Sequence, residues 1–508
     1  MPGNPPPYAA ILKEAVAQHR AGRLDEAERL YRLVLEAEPR QPDVHHNLGA
    51  VLARRGRLAE ALPHLKTAVE GRPGEGKYWS ACFETMQALG AREEAAALYT
   101  KLVALQPQLA PAHFNLGNTL KDLGRLDEAA ASYRAALKLT PGFAPAHNNL
   151  GNVLKLQGKP EEAAASYRAA IAADPRLADA HFNLGNVLEE QGALAEAEAS
   201  YRKVIALAPE HPDVNRHLGA VLMELGRTAE GLEAIARHAQ RNYGPGQPPT
   251  PTSDSPHKRK HDAEQRAWIG GDAPAIDTLR LEGGERIADG AVNRGDAAAV
   301  AAAWRTNKPQ IVVIDDLLTP EALTALRRFC QGSTFWRQSF PNGYLGAVPS
   351  HGFAAPLLAQ IGEELAAANP EIFAGHPLLQ LWAFKYDSNL KGINMHADFA
   401  AVNVNFWITP DEANLDPEHG GLVIWDKAAP LDWDFAKYNN DDAAMREFLR
   451  ASQAQAITVP YRANRAVVFD SDLFHETDVI HFREGYENRR INVTFLYGWR
   501  AGGRGIRD

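Results

Sequence analysis

A chain of 508 residues, 45% hydrophobic and 23% charged, has ordinary globular composition, neither collagenous nor disordered throughout, and room for about three domains at roughly 150 residues each. The 54 Lys and Arg against 63 Asp and Glu leave a net charge of −9, so no overall basic field points to nucleic acid. Two cysteines, Cys82 and Cys330, are too few for a disulfide scaffold or a thiolate zinc site. The opening MPGNPPPYAA has no basic or apolar signal segment, and no 18-residue apolar run follows, so a soluble, cytoplasmic chain with no membrane or nucleic-acid partner is expected.

The first half repeats. Gly22, Gly56, Gly90, Gly124, Gly158, Gly192 and Gly226 are each 34 residues apart, and Pro39, Pro73, Pro107, Pro141, Pro175 and Pro209 keep the same interval. Each unit predicts two helices. Leu116, Leu120 and Leu123 form one apolar stripe, which Gly124 ends in the left-handed conformation that helix C-termini favour. Ala129, Tyr133, Ala136 and Leu137 form the second, with Tyr133 filling the space that the alanines leave.

This LG…A…Y…A…P pattern resembles the tetratricopeptide repeat, over residues 8–242 as seven units. The resemblance implies an all-α superhelix with a concave groove that binds a protein or peptide. On a helical wheel Asn115 and Asn118 lie opposite the leucine stripe, and the pair recurs as Asn149/Asn152 and Asn183/Asn186, with Asn47 alone earlier. Amides donate and accept, so such a ladder can grip an extended backbone of any sequence. It is similar to the ladder in the repeats of O-linked N-acetylglucosamine transferase. His113, His147 and His181 also recur at 34 residues and are expected to pack or cap.

Residues 243–263, which contain GPGQPPTPTSDSPHKRKHD, predict a semi-extended, solvated linker. From about residue 305 the period changes. Ile311–Ile314 predicts a strand, and Thr319-Pro320 starts a helix that runs to about Cys330. A second helix follows, then strand-like runs LLQLWAFKY, VNVNFWI, GGLVIWD, QAITVPY, RAVVFD and RINVTFLYGW, which predict a sandwich or barrel for residues 264–508 with its core at about 305–500.

His396 and Asp398 stand in INMHADF before a strand, His475 follows 77 residues after Asp398, and Arg490 follows 15 later. A His-x-Asp pair alone is weak, since His211-Pro212-Asp213 is another at a repeat junction. With a distal histidine, however, two imidazoles and one carboxylate make the facial triad that suits Fe(II) and leaves open positions for a 2-oxo acid and O2. His481 is the rival distal ligand, but it lies beyond the strand-to-loop approach. Arg490, Asn492 and Thr494 share one strand face, so an inward Arg490 can pair with a carboxylate, while Arg489 would face outward. The opposing reading makes Arg490 a surface cation beside Glu487.

The order His-x-Asp, distal His, Arg resembles the Fe(II)- and 2-oxoglutarate-dependent oxygenases of the double-stranded β-helix (jelly-roll, cupin-like) fold. VVIDDLLTPEALTALRRF is similar to the opening of their prolyl-hydroxylase-like branch, though that branch often has Lys where Arg490 stands. The resemblance implies Fe(II) on His396, Asp398 and His475, which are also the catalytic residues. It implies 2-oxoglutarate on Arg490, with Tyr386 and Thr494 adding hydroxyls, O2 as second co-substrate, and C–H hydroxylation. The groove would present a protein or peptide substrate. Two alternatives are the same chemistry on a small molecule or glycan precursor, with the repeats as a docking module, and a non-catalytic scaffold with a vestigial barrel. Trp425, Trp433, Phe435 and Tyr438 mark residues 425–452 as either a lid or an insertion packing its own aromatics.

Overall fold

The structure, a computed structural model, describes residues 8–247, 255–270, 278–388 and 392–500. It divides into two compact units, residues 1–187 and 188–508, so the boundary expected at 242 falls inside the second unit.

In the first unit the described residues form paired helices, among them Ala110–Asp122 with Leu126–Leu139 and Ala144–Leu156 with Pro160–Ala173. The seven repeat glycines all have φ between 68° and 78°, which explains the ruler: only glycine takes this turn without strain. Leu116, Leu120, Ala129, Tyr133 and Ala136 are buried. The space that Tyr133 fills is made by Gly117 on the facing helix, where a Cβ would stand 2.6 Å from the ring. His45, His113, His147 and His181 each bond the carbonyl of the repeat proline six residues earlier, at 2.8–3.1 Å, which is a capping role. Trp79 stands at the same repeat position and donates to Pro73 O at 2.8 Å.

The second unit opens with the last repeats. Met223, Leu232, Ile235 and Ala239, from helices Val214–Glu224 and Thr228–Tyr243, share one core with Leu279, Leu357, Leu358 and Phe495. Trp499 donates to Glu224 at 3.0 Å, and Glu363 accepts from the Ala229 amide at 3.2 Å.

The linker expectation fails over part of its length; residues 248–254 lie outside the described residues. Pro256–Ile269 is a helix, because Ser255 caps it by accepting from the Lys258 amide and Pro256 suits the first turn. It buries Lys258, His261, Asp262 and Gln265. Gln265 donates to Ser333 O at 2.8 Å, and Lys260 pairs with Asp387 at 2.7 Å. The run read as solvated is thus anchored by polar bonds, which an apolar-stripe test does not register.

Among the described residues ten strands follow: β1 (Ile311–Ile314), β2 (Gln338–Ser339), β3 (Tyr344–Ala347), β4 (Leu378–Tyr386), β5 (Ala400–Trp407), β6 (Leu422–Ala428), β7 (Ala456–Val459), β8 (Ala466–Asp470), β9 (Leu473–Thr477) and β10 (Ile491–Trp499). They make two antiparallel sheets, one of seven strands ordered β1-β8-β5-β10-β4-β3-β2 and one of three ordered β7-β6-β9. An isolated bridge between His396 and His475 extends the smaller sheet beyond β9. Helices Pro320–Gly332 and Pro356–Ala368 bury Leu326, Phe329, Leu357 and Ile361 in the larger sheet's core.

Candidate metal centre

The bridge sets the first three residues. His396 and His475 exchange backbone hydrogen bonds at 3.0 and 2.8 Å, and the Asp398 amide bonds Ser471 O at 3.1 Å. His475 lies on β9. Ligand atoms of His396, Asp398 and His475 all fall within 4.8 Å of one another, so the three can hold one metal ion. His396 Nδ1 bonds Asn394 O at 2.9 Å, and His475 Nδ1 bonds Leu473 O at 3.0 Å. With each Nδ1 engaged by a carbonyl, Nε2 is the nitrogen that each ring turns toward the other ligands, the arrangement of metal-ligating imidazoles. Those atoms lie 3.9 and 3.5 Å from the Asp398 carboxylate.

Burial and the neighbouring His475 lower the His396 pKa to about 4. Burial pushes the Asp398 carboxyl up, but His475, His396 and the Asn403 amide outweigh it and the net direction is down. The site therefore favours a neutral His396 beside an ionised Asp398, the protonation that a divalent cation needs of these two groups.

His396, Asp398 and His475 line one cleft together with Arg490, Asn492, Thr494 and an apolar wall of Trp382, Phe384, Ile393 and Leu422. Arg490 is 1% exposed, which removes the surface-cation reading. Its Nε donates to Gly420 O at 2.7 Å, Nη2 to Gly421 O at 3.2 Å and Nη1 to Asn492 Oδ1 at 3.4 Å. Three of its five N–H groups are used, leaving one on each terminal nitrogen for a ligand. The guanidinium lies 4.8 Å from the centre of the Tyr386 ring, whose buried hydroxyl lacks a partner at bonding geometry although Thr477 and Arg490 adjoin it. Thr494 donates to Asn405 Oδ1 at 3.0 Å.

Arg489 does not face outward: it is buried and pairs at 2.8 Å with Glu264, on the helix Pro256–Ile269 whose first half was read as linker. His481 is exposed, and it does not line the cleft. Residues 389–391, between Tyr386 and His396, lie outside the described residues. The aromatics of 425–452 pack inward: Tyr438, Met445 and Leu449 form a cluster with Met395, Ala397 and Phe474 that Trp433 and Phe448 join. Asn439 donates to Ala397 O at 3.2 Å. This insertion backs the segment carrying His396, and among the described residues none of its aromatics lines the cleft.

Sequence reasoning missed Asn403 and Asn405. Asn403 donates to Asp398 Oδ2 at 2.6 Å, and Asn405 donates to Asn403 Oδ1 at 2.9 Å. Their signal was the alternation in VNVNFW, polar residues on one face of a strand that is buried on both.

In the repeats the asparagine ladder binds itself. Asn118 Oδ1 accepts from Tyr133 Oη at 2.7 Å and from Asn149 Nδ2 at 2.8 Å. Asn152 accepts from Tyr167 at 2.8 Å, and Asn183 donates to Asn148 at 3.0 Å. Asn115 pairs with the Tyr99 hydroxyl, Asn186 is partnered too, and Asn47 is half-buried. These amides join helices and neighbouring repeats, so a ladder given over wholly to a ligand is not what the geometry presents.

No helix among the described residues is long and apolar enough to cross a membrane. No curated protein matches the chain. The chain is similar to solved structures of MamA (23% identity over 31% of this chain and 91% of that one, TM-score 0.30) and of YrrB, described as a TPR protein with an unusual peptide-binding site (20%, 36% and 93%, TM-score 0.31). It is also similar to a tetratricopeptide repeat protein from Parabacteroides merdae (19%, 47% and 94%, TM-score 0.34). Family models for the tetratricopeptide repeat match residues 12–76 and 148–212 and residues 188–245, and a TPR repeat model matches 117–158. The N-terminal 245 residues or so are therefore tetratricopeptide repeats, a protein-interaction module.

Proposed function

We propose that the chain is an Fe(II)- and 2-oxoglutarate-dependent oxygenase that hydroxylates a C–H bond of a protein or peptide brought by its repeats. The observation that carries this reading is one cleft holding both His396, Asp398 and His475, with their ligand atoms within 4.8 Å, and the buried Arg490 with free N–H groups.

The strand order supports it. Within the larger sheet, β4-β10-β5-β8 are four consecutive antiparallel strands, and the His396 bridge with β9-β6-β7 makes the facing four, the pattern of a jelly roll. Iron held by the triad would supply the redox chemistry by which 2-oxoglutarate, O2 and R–H become succinate, CO2 and R–OH. Arg490 would bind the distal carboxylate end-on, since its Nε side is already bonded to the Gly420 and Gly421 carbonyls. Tyr386 offers an unmet hydroxyl beside it. Trp382, Phe384, Ile393 and Leu422 keep water from the reacting carbon, and the repeats position the substrate with binding energy remote from it.

The test is iron-dependent conversion of 2-oxoglutarate to succinate by the purified chain, together with mass spectrometry of cellular proteins for a one-oxygen gain that requires it. The reading expects both. Oxygen gain on a small molecule alone, with no cellular protein gaining oxygen, would overturn the protein substrate; no succinate would overturn the enzyme.

A further inference from the structure

Between the two ends of the cleft runs a row of buried amides. Arg490 Nη1 donates to Asn492 Oδ1 at 3.4 Å, Asn492 Nδ2 to Asn405 Oδ1 at 3.0 Å, Asn405 Nδ2 to Asn403 Oδ1 at 2.9 Å, and Asn403 Nδ2 to Asp398 Oδ2 at 2.6 Å. Asn403, Asn405 and Asn492 are 0%, 5% and 4% exposed, so water cannot replace these partners.

A side-chain amide can be turned to exchange its oxygen and nitrogen, so a row of three has two senses. The ends remove the choice. A guanidinium only donates and a carboxylate only accepts, so every amide must present its oxygen toward Arg490 and its NH2 toward Asp398. Turning any one sets N–H against N–H, or oxygen against oxygen, in a buried site.

We infer that Asn403, Asn405 and Asn492 are positioning residues that couple carboxylate binding at Arg490 to metal binding at Asp398. This rests on the proposed roles of those two end residues. A carboxylate on the two free N–H groups of Arg490 draws on the same guanidinium charge that polarises the Nη1–Asn492 bond, and so weakens the row at that end. Asn403 then holds Asp398 Oδ2 less tightly, and the oxygen becomes a better metal ligand. By linkage the metal favours the carboxylate to the same degree. Direct attraction between cation and anion acts in the same direction, so the row contributes the part of the coupling that a charge-neutral break removes.

The experiment uses the full-length chain with Ni(II) as the metal probe and glutarate as a dicarboxylate lacking the 2-oxo group. Calorimetry gives the Ni(II) Kd with and without saturating glutarate, for wild type and for the near-isosteric Asn405→Leu and Asn492→Leu, whose folding is checked by circular dichroism. Glutarate is expected to tighten Ni(II) binding about tenfold in wild type and about threefold or less in either variant that folds. The same tightening in both variants, each still binding both probes, would overturn the coupling while leaving the metal and carboxylate sites standing. Wild-type Ni(II) binding that is absent or indifferent to His396→Ala would overturn the coupling and the proposed function together.

Discussion

Gly421 is where a single methyl group should be felt in both the fold and the cleft. A Cβ there would overlap the Val459 carbonyl oxygen and stand 2.9 Å from Pro460 C and Tyr461 N. All three are backbone atoms in or beside β7, so no rotamer change relieves the clash and β6 must move from its Leu422–Val459 register. The Gly421 carbonyl also accepts from Arg490 Nη2 at 3.2 Å and from the Asp478 amide at 3.2 Å. Overpacking of this kind costs about 1–3 kcal/mol, and each hydrogen bond lost adds about 1 kcal/mol. Gly421→Ala should therefore destabilise the second unit by about 3–5 kcal/mol, a drop in thermal midpoint of roughly 6–15 °C at about 2–3 °C per kcal/mol. Scanning calorimetry of the two proteins measures it, and glutarate binding should weaken in parallel as Arg490 loses its bracing. A midpoint within about 1 °C of wild type would refute the steric reasoning and the role given to the Gly420-Gly421 carbonyls.

Three further outcomes are expected. His396 is lowered to about 4 while the unfolded imidazole titrates near its usual value of about 6.5, so the unfolded chain binds an extra proton between them. Stability should be level above that window and fall by about 3 kcal/mol as pH drops through it; urea unfolding at about pH 7 and pH 4.5 should show this in metal-free wild type, and an equal loss in His396→Gln would contradict it. Removing residues 1–245 strips Met223, Leu232 and Ile235 from the second unit's core, worth about 5–8 kcal/mol of burial and close to a domain's whole stability. That fragment should aggregate or bind a hydrophobic dye, and a cooperative unfolding transition matching full length would contradict the shared core. Trp79 is buried, so Trp79→His and Trp79→Leu should both lose packing, but His keeps a bond to Pro73 O and should be about 1 kcal/mol the more stable of the two; equal loss in both, by urea unfolding, would contradict the capping role.

The repeats were legible because the 34-residue period is carried by glycines whose backbone conformation excludes other residues, and the long strands because β-branched runs such as RAVVFD and RINVTF have no helical alternative. The short β2 and β3 carry too few residues for a period, and β9 was hidden behind Asp470-Ser471-Asp472, which reads as a loop. The helix Pro256–Ile269 was misread because its buried face is Lys258, His261, Asp262 and Gln265, polar side chains that only their partners in the fold make burial-competent. Among the proposed site residues, His396, Asp398, His475, Arg490 and Thr494 line one cleft, and Tyr386 lies beneath Arg490. The two-residue period carried Arg490 and Thr494 to that face. The same period leaves Asn403 and Asn405 ambiguous, because a polar face on a strand signals solvent as readily as a buried network. The repeat asparagines show the converse: their spacing was plain, but the tyrosines and amides that bond them come from neighbouring helices, before them in the chain as well as after.

The most direct measurement is an anaerobic Fe(II) titration of the full chain and its His396→Ala and Asp398→Ala variants, with 2-oxoglutarate added afterwards. The account expects one Fe(II) bound in wild type, lost in both variants, and succinate formed on admitting O2 only where iron is held. Wild type that holds no Fe(II), or variants that bind it as tightly, would contradict the metal centre on which the proposed function rests.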